Sequence, residues 1–283
     1  MTNDPFIVTS ASQSSMATSS SSLLTRIQSG QIEHAYVCGN HATPRHVDFI
    51  GATGLFPTIW IDLEHFDIPT EKLAMLVMAA RNHQMSTLAR FKARDYERVQ
   101  QVLETGISGI MCAMVESAVE AGNIVRWAKF NNPKPAPGEV TGMRGWNGGG
   151  IDARYGTLPA HEYVHQQNNG IAILCQIETQ EALADVDSIV GTPGVDAIFF
   201  GPGDYSHRIG ALGQLSHPQV LTAMEHVAAA CKRHGKWWGT LGIGREHYLK
   251  VKALGAQLIC PGGDVRVMIN GVRELARTFQ DPA

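Results

Sequence analysis

The chain has 283 residues, of which 44% are hydrophobic, and it carries a formal net charge of −3. This length suits one large single-core domain or two small ones. The small negative charge gives no electrostatic reason to expect nucleic acid or an anionic membrane surface as a partner. No apolar stretch approaches the ~20 residues that cross a bilayer, so we expect no membrane association.

The N-terminal region and the cysteines favour a reduced, cytoplasmic protein. Residues 9–22 are rich in serine and cannot bury a core, so residues 1–22 are predicted to form a flexible tail. No cationic stretch followed by an apolar one opens the chain, and we therefore expect no secretory signal. The five cysteines are odd in number and contain no C-x-x-C pair.

Beyond the tail, the chain alternates between short apolar runs and helical periodicity. A short helix from Ser22 to Gln28 is followed by eight predicted strands, at residues 34–39, 57–63, 86–90, 109–115, 171–177, 196–201, 237–242 and 257–261. Eight buried strands alternating with helices over about 250 residues predict an α/β protein, a single-domain (β/α)8 TIM barrel over residues 23–283. A doubly wound open sheet is the alternative, but it usually has fewer strands.

One connection interrupts this alternation. Residues 131–160, between the fourth helix and the fifth strand, are rich in proline and glycine. Long connections without secondary structure in a compact domain are usually functional loops or interface elements. The glycine-rich stretch at 142–150 is therefore predicted to be a lid, with a solvated excursion as the plainer alternative.

Polar residues follow four of the apolar runs, at the point where each predicted strand ends. Charged groups at the C-terminal ends of barrel strands are costly to desolvate, so they usually mark a site. The residues concerned are Asp62, Glu64 and His65 after the second strand, Arg90 after the third, Gln176 and Glu178 after the fifth, and Asp204 after the sixth.

Glu178 and Asp204 follow neighbouring strands and can supply two oxygen ligands to Mg²⁺ or Mn²⁺. The remaining coordination positions would be free for water and substrate. The alternative is that both carboxylates cap helices. Gly201 and Gly203 favour a site, because they allow close backbone approach and leave N–H groups that can bind a carboxylate or phosphate.

His65 and Arg90 complete the chemistry of the predicted face. A histidine held by a nearby carboxylate has a fixed tautomer and raised basicity, which suits a general base near neutral pH. Arg90 could stabilise negative charge that develops on an oxygen atom. The alternatives are a structural histidine and a surface ion pair.

Two other motifs are expected to be inert. His161 and His165 match H-E-x-x-H, but the segment lies outside the strand ends and is predicted to be a surface helix rather than a zinc site. A Schiff-base mechanism needs a lysine in an apolar pocket. Lys92 is the only well-placed candidate, since Lys236 begins the seventh strand at the wrong face.

Together, the Asp-x-Glu-His, Gln-x-Glu-Thr and Gly-Pro-x-Asp segments resemble the HpcH/HpaI family of metal-dependent pyruvate aldolases, from about residue 23 to the C-terminus. The resemblance implies a (β/α)8 barrel whose last helix is often exchanged between subunits of a homo-oligomer, a trimer or hexamer. It also implies a divalent metal, Mg²⁺ before Mn²⁺ or Co²⁺, held by Glu178 and Asp204.

The resemblance also implies roles for individual residues. His65 matches the base, with Asp62 nearby in the same segment, and Arg90 matches the group that steadies the enolate oxygen. Glu104, before Gly106, matches an acidic residue that raises the basicity of the histidine. The substrate would contact Gln176 and the turn formed by Pro202, Gly203 and Asp204.

These residues predict an aldehyde-lyase that reversibly cleaves a 2-keto-3-deoxy sugar acid or 4-hydroxy-2-oxo acid to pyruvate and an aldehyde. Oxaloacetate decarboxylation, cleavage of a citramalyl-type thioester and non-catalytic binding of 2-oxo acids remain open as alternatives. Phe66 and Phe91 depart from the family pattern beside His65 and Arg90, which leaves the aldehyde unassigned.

Overall fold

The computed structural model describes residues 22–135, 137 and 139–279. In this part of the chain, eight parallel strands close into a barrel in sequence order, so the open sheet is excluded. The strands are β1 (Glu33–Cys38), β2 (Thr58–Asp62), β3 (Ser86–Phe91), β4 (Gly109–Cys112), β5 (Ala172–Ile177), β6 (Ala197–Phe200), β7 (Trp237–Leu241) and β8 (Leu258–Gly263). All eight predicted strands are present, although β4 ends earlier than expected.

Twelve α-helices accompany the strands within the described ranges. They are α1 (Leu23–Gln28), α2 (Pro44–Ala52), α3 (Thr70–Asn82), α4 (Tyr96–Leu103), α5 (Ala118–Ala128), α6 (Ala160–Gly170), α7 (Gln180–Ala184), α8 (Val186–Gly191), α9 (Pro202–Arg208), α10 (Pro218–Arg233), α11 (Arg245–Ala253) and α12 (Asp264–Ala276). None of the helices in these ranges has both the length and the apolar character to cross a bilayer.

The strands are buried on both faces, which explains their nearly continuous apolar sequence. Side chains that point inward, among them Trp60, Leu88, Leu174 and Phe199, fill the barrel interior. Their outward neighbours pack against the surrounding helices in a second, larger cluster. Two layers of apolar packing therefore hold the strand ends in fixed positions.

Helix α1 closes the N-terminal end of the barrel. Leu23, Leu24 and Ile27 are buried among the inward-pointing side chains, and Arg26 binds Glu33 at 2.6 Å at the start of β1. Ser22 caps the helix by accepting a hydrogen bond from the Thr25 N–H. The tail predicted for residues 1–22 lies outside the described residues, apart from Ser22.

Helix α12 is attached to its own barrel mainly at its first residue. The buried Asp264 carboxylate accepts hydrogen bonds from the N–H groups of Gly39 and His41. Beyond it the helix exposes a set of large apolar side chains, which are Val265, Val267, Met268, Ile269, Val272 and Leu275. Exchange of this helix between subunits stays a prediction, and the exposed apolar face is compatible with it.

The described part of the segment at residues 131–160 lies at the N-terminal end of the barrel, because the segment connects a helix to the start of a strand. Its anchors are there: Arg144 forms a backbone bridge with Phe130 just after α5 and a buried ion pair with Asp152 at 2.7 Å. Asn147 binds Glu104 at the end of α4. The predicted lid is therefore wrong, since the segment packs opposite the strand ends that carry the site.

Candidate active site

Glu178 lies directly after β5 and is almost fully buried. Its Oε1 accepts a hydrogen bond from the Met114 N–H at 2.7 Å, and its Oε2 accepts one from Gln176 Nε2 at 2.5 Å. A Cβ atom at Gly201 would lie 2.7 Å from Glu178 Oε2, so only glycine fits opposite the carboxylate. Thr179 caps α7, and Glu178 is consequently available for a role other than capping.

Asp204 lies in the first turn of α9, whose N-cap residue is Gly201 rather than the aspartate. The residue is exposed, and its charge acts on the buried Glu178. The N–H groups of Gly203 and Asp204 precede the first intrahelical hydrogen bond, which Tyr205 donates to Gly201. The turn therefore combines a carboxylate with backbone donors that a bound anion can use.

Three carboxylates share the electrostatic environment of this centre. Burial, together with the negative charges of Glu64 and Asp204, raises the pKa of Glu178 to about 7 against the opposing hydrogen bonds from Met114 and Gln176. A buried carboxylate that is repelled by two other carboxylates is poorly stabilised when ionised. A cation between them would remove that penalty.

The donor set fits a hard divalent cation. Glu178 and Asp204 offer carboxylate oxygens, and the buried Gln176 Oε1 beside them has no hydrogen-bond partner. No group of three or more His, Cys, Asp or Glu side chains suited to a metal is found among the residues described. Two protein carboxylates and several open positions are typical of Mg²⁺, which usually retains water or substrate ligands.

Arg90, at the end of β3, is held on several sides. Its Nε and Nη2 donate to the two oxygens of Asp62 at 3.1 and 2.5 Å, and Nε lies 3.4 Å from Glu64 Oε2. Its Cζ lies 5.0 Å from the centroid of the Trp60 ring. The residue is only 9% exposed, so the alternative of a surface ion pair is wrong.

His65 projects beyond the end of β2, and its side chain is 57% exposed. The imidazole Nε2 lies 4.0 Å from Glu64 Oε2. Asp62 does not bind the imidazole, because its carboxylate is occupied by Arg90 and by the Glu64 N–H. The carboxylate beside the histidine ring is thus Glu64, and Asp62 acts on Arg90.

Two residues at the centre were given no role of their own from the sequence. Glu64 was named only as part of its segment, yet it lies between Arg90 and His65 and its charge reaches Glu178. Trp60 stacks on Arg90 from within the barrel. Its position two residues before Asp62 puts both side chains on one strand face, which was the available signal.

Glu104 lies away from His65 within one chain. It caps the C-terminal end of α4, at the N-terminal end of the strands, and its Oε2 accepts a hydrogen bond from Asn147. Lys92 binds the Met114 carbonyl and lies 3.5 Å from Glu120, so it is not in the apolar pocket that a Schiff base requires. His161, on α6, is exposed at the end of the barrel opposite the centre.

Comparison with known proteins identifies the family of the chain. A family model described as HpcH/HpaI aldolase/citrate lyase matches residues 58–271. The chain belongs to this family. A 5-keto-4-deoxy-D-glucarate aldolase of Escherichia fergusonii is 31% identical over 239 residues, which cover 84% of this chain and 89% of the relative. The Klebsiella pneumoniae protein of the same name is 30% identical over the same length.

Solved structures of the family share the fold. An HpcH/HpaI aldolase from Desulfitobacterium hafniense superposes with a TM-score of 0.84 at 29% identity, covering 93% of this chain and 98% of that one. Macrophomate synthase superposes with a TM-score of 0.72 at 22% identity over 92% of each chain, a likeness of fold alone. As a member of the HpcH/HpaI family with aldolases as relatives, the chain is a carbon–carbon lyase.

Proposed function

We propose that the protein is a divalent-metal-dependent aldolase that cleaves a 2-keto-3-deoxy sugar acid, or a related 4-hydroxy-2-oxo acid, to pyruvate and an aldehyde. The observation that carries the proposal is that the charges of Glu64 and Asp204 act on the buried Glu178, while Glu64 also lies beside Arg90 and His65. The relatives named as 5-keto-4-deoxy-D-glucarate aldolases support a sugar-acid substrate. We place the enzyme in the cytoplasm, since all five cysteines are free and buried.

Glu178 and Asp204 would hold the metal, with Mg²⁺ the first candidate and Mn²⁺ or Co²⁺ as substitutes. When bound, the metal supplies Lewis-acid polarisation of the 2-oxo group. The N–H groups of Gly203 and Asp204 would donate to the substrate carboxylate in the turn that begins at Pro202. The unpartnered Gln176 Oε1 would accept a hydrogen bond from the bound substrate or an ordered water.

His65 would remove the proton of the 4-hydroxyl group, since its half-exposed imidazole is the basic side chain at the mouth. The C3–C4 bond then breaks, the 4-carbon becomes the aldehyde, and the bonding electrons move toward the 2-oxo oxygen. Arg90 would donate to that oxygen as its charge develops. Protonation at C3 yields pyruvate, and the same steps in reverse give aldol addition.

Glu104 has no part in this proposal for a single subunit, because its side chain lies at the other end of the barrel. Glu64, as the carboxylate nearest the imidazole, takes the role that the resemblance gave to Glu104.

The proposal is tested by measuring pyruvate release from a panel of 2-keto-3-deoxy sugar acids and oxaloacetate, with Mg²⁺, Mn²⁺, Co²⁺ or a chelator. We expect turnover of sugar acids that a chelator abolishes and added metal restores. His65→Ala should lower kcat by about 10²- to 10⁴-fold with metal affinity intact. His161→Ala is the matched control and should retain full activity. Turnover in excess chelator, or full activity of His65→Ala, would refute the assignment.

A further inference from the structure

The loop between β4 and α5 supplies one of the two hydrogen bonds that hold the Glu178 carboxylate. Its residue Met114 donates its backbone N–H to Glu178 Oε1 at 2.7 Å, while Gln176 Nε2 donates to the other oxygen. Met114 has a φ of 56°, in the left-handed region that a residue with a Cβ atom rarely adopts. The donor that orients the carboxylate therefore depends on an unfavourable backbone conformation.

Lys92, in the loop after β3, holds that conformation from one side. Its Nζ donates to the Met114 carbonyl. The N–H of the same peptide, which belongs to Val115, donates to the Gln176 carbonyl at 3.3 Å. The peptide that follows Met114 is thus held at both its oxygen and its nitrogen. A strained backbone conformation persists only where its surroundings fix it in this way.

The Lys92 ammonium is itself tied to the first turn of α5. Its Nζ lies 3.5 Å from Glu120 Oε1, and the other oxygen of Glu120 accepts a hydrogen bond from the Glu116 N–H at 2.8 Å. Lys92 therefore bridges the backbone of the β4–α5 loop and the helix that follows it. In the described part of the chain, Lys92 forms no hydrogen bond or ion pair with Glu178 itself, so it orients the carboxylate through Met114.

We propose that Lys92 is a positioning residue that keeps the Met114 N–H directed at Glu178 and thereby sets how tightly the protein binds its divalent cation. This rests on the proposed function, in which Glu178 is a metal ligand. The hydrogen-bond partners of a ligand orient it, and their loss commonly lowers metal affinity by about 10- to 100-fold. Because Lys92 acts one step further from the ligand, its effect should lie near the lower end of that range.

The first test measures the Kd for Mn²⁺ by isothermal titration calorimetry on metal-free protein. Lys92→Met removes the ammonium and should raise the Kd by about tenfold. Lys92→Arg can still donate to the Met114 carbonyl and should recover most of the affinity. Lys236→Met is the matched control, because Lys236 also donates to a backbone carbonyl, that of Val195 at 2.5 Å, but just before β7, at the opposite end of the barrel. This control should leave the Kd unchanged.

A double-mutant cycle tests the route through Met114. Glycine adopts a positive φ without a steric penalty, so in a Met114→Gly background the loop conformation no longer needs Lys92. Lys92→Met should then change the Kd by less than about twofold, against about tenfold when Met114 is present. An equal loss of affinity in the two backgrounds would overturn the proposal.

The remaining outcomes separate this proposal from the proposed function. If the unmodified protein binds no Mn²⁺, the metal site of the proposed function is overturned, and the role of Lys92 with it. If the unmodified protein binds Mn²⁺ and Lys92→Met has the same Kd, the positioning role alone is overturned. Thermal unfolding without metal should give similar decreases in Tm for Lys92→Met and Lys236→Met. An increase in Kd shared by Lys236→Met would show a general loss of structure and would also overturn the positioning role.

Discussion

The guanidinium of Arg90 is fixed before any substrate arrives. Asp62 binds two of its nitrogens, Glu64 lies beside Nε, and Trp60 covers one face. Trp60 is itself held edge-to-face against Phe199, with ring centroids 5.1 Å apart. A donor that is already oriented loses little freedom when charge develops on the substrate, which is the condition for effective electrostatic catalysis.

Trp60→Leu is therefore expected to lower kcat for pyruvate release by about tenfold, because a desolvated cation–π contact contributes up to ~2 kcal/mol. Metal affinity should be unaffected. Trp60→Phe keeps an aromatic face and should retain most activity, since Trp60 Nε1 has no hydrogen-bond partner to lose. Steady-state kinetics and thermal unfolding of both variants provide the check. Equal kcat in the Leu and Phe variants would show that the ring does not position Arg90.

As the proposed metal ligand, Glu178 should make metal binding dependent on pH. Burial raises its pKa in the folded protein from the ordinary 4.5 to about 7, so the carboxyl group is mostly protonated at pH 6. Metal binding at pH 6 should thus release close to one proton per site, and at pH 8.5 almost none. Isothermal titration calorimetry in buffers of different ionisation enthalpy measures this number. Proton release that does not change between the two pH values would contradict the shift.

The raised pKa of Glu178 also affects the folding stability of the protein without metal. An acid whose pKa is raised on folding stabilises the folded state at low pH, and this contribution is lost as pH rises from about 4.5 to about 7. Glu178→Gln removes the titrating group. The variant should therefore lose less stability than the unmodified protein over that interval, measured by chemical unfolding in the presence of a chelator.

At the scale of elements, the segment at residues 131–160 is organised around a buried ion pair. The side chains of Arg144 and Asp152 are both fully buried, and the Tyr163 hydroxyl donates to the same aspartate oxygen. Arg144 also faces the Phe130 ring, with Cζ 4.6 Å from its centroid. The stability of a charge at such a buried site depends on its partner, because no water can take the place of that partner.

Asp152→Ala should lower the free energy of unfolding by about 3–5 kcal/mol, since it leaves the Arg144 charge buried and unpaired. Urea unfolding followed by circular dichroism gives the value. Asp187→Ala removes a carboxylate from a solvent-exposed pair with Arg233 and serves as the control, with an expected loss below about 1 kcal/mol. Similar losses in the two variants would contradict the importance of burial.

The strands were predictable because they are buried on both faces and read as continuous apolar runs. The end of the barrel at which residues 131–160 lie could also be predicted from the sequence, since a connection from a helix to a strand lies at the N-terminal end. The lid prediction did not use this and relied on the length of the connection and on its proline and glycine content. Element order is thus a stronger guide to a loop's location than composition.

The candidate site was predictable only as a set of strand ends. Asp62, Arg90, Glu178 and Asp204 follow from polar residues after apolar runs, but their pairing does not. The choice of Arg90 rather than His65 as the partner of Asp62 depends on side-chain directions across β2 and β3, where Asp62 and Arg90 are direct neighbours. Such cross-strand register cannot be read from one segment at a time.

At the scale of the whole molecule, α12 leaves apolar surface uncovered. Ile269 and Val272 are 44% and 59% exposed on a helix that its own barrel hardly covers. Contiguous exposed apolar surface on a helix commonly marks a contact with another protein chain. The predicted homo-oligomer would bury this face in a neighbouring subunit.

Ile269→Asp together with Val272→Asp should convert the oligomer to smaller species, because two charges would have to be desolvated in the contact. Sedimentation equilibrium or light scattering at micromolar concentration measures the mass. Arg273→Gln, on the same helix, is the control and should leave the mass unchanged. An unmodified protein that is already monomeric, or a double variant of unchanged mass, would rule out α12 as the contact.

The closure of the N-terminal end of the barrel by α1 has a kinetic consequence. Because Leu23, Leu24 and Ile27 fill the N-terminal end of the barrel, substrates and products must enter and leave at the C-terminal end. Under the proposed function pyruvate binds next to the deeply buried Gln176 and Glu178, so it should bind first and leave last. Product-inhibition patterns should accordingly be those of an ordered mechanism, in which the aldehyde is released before pyruvate.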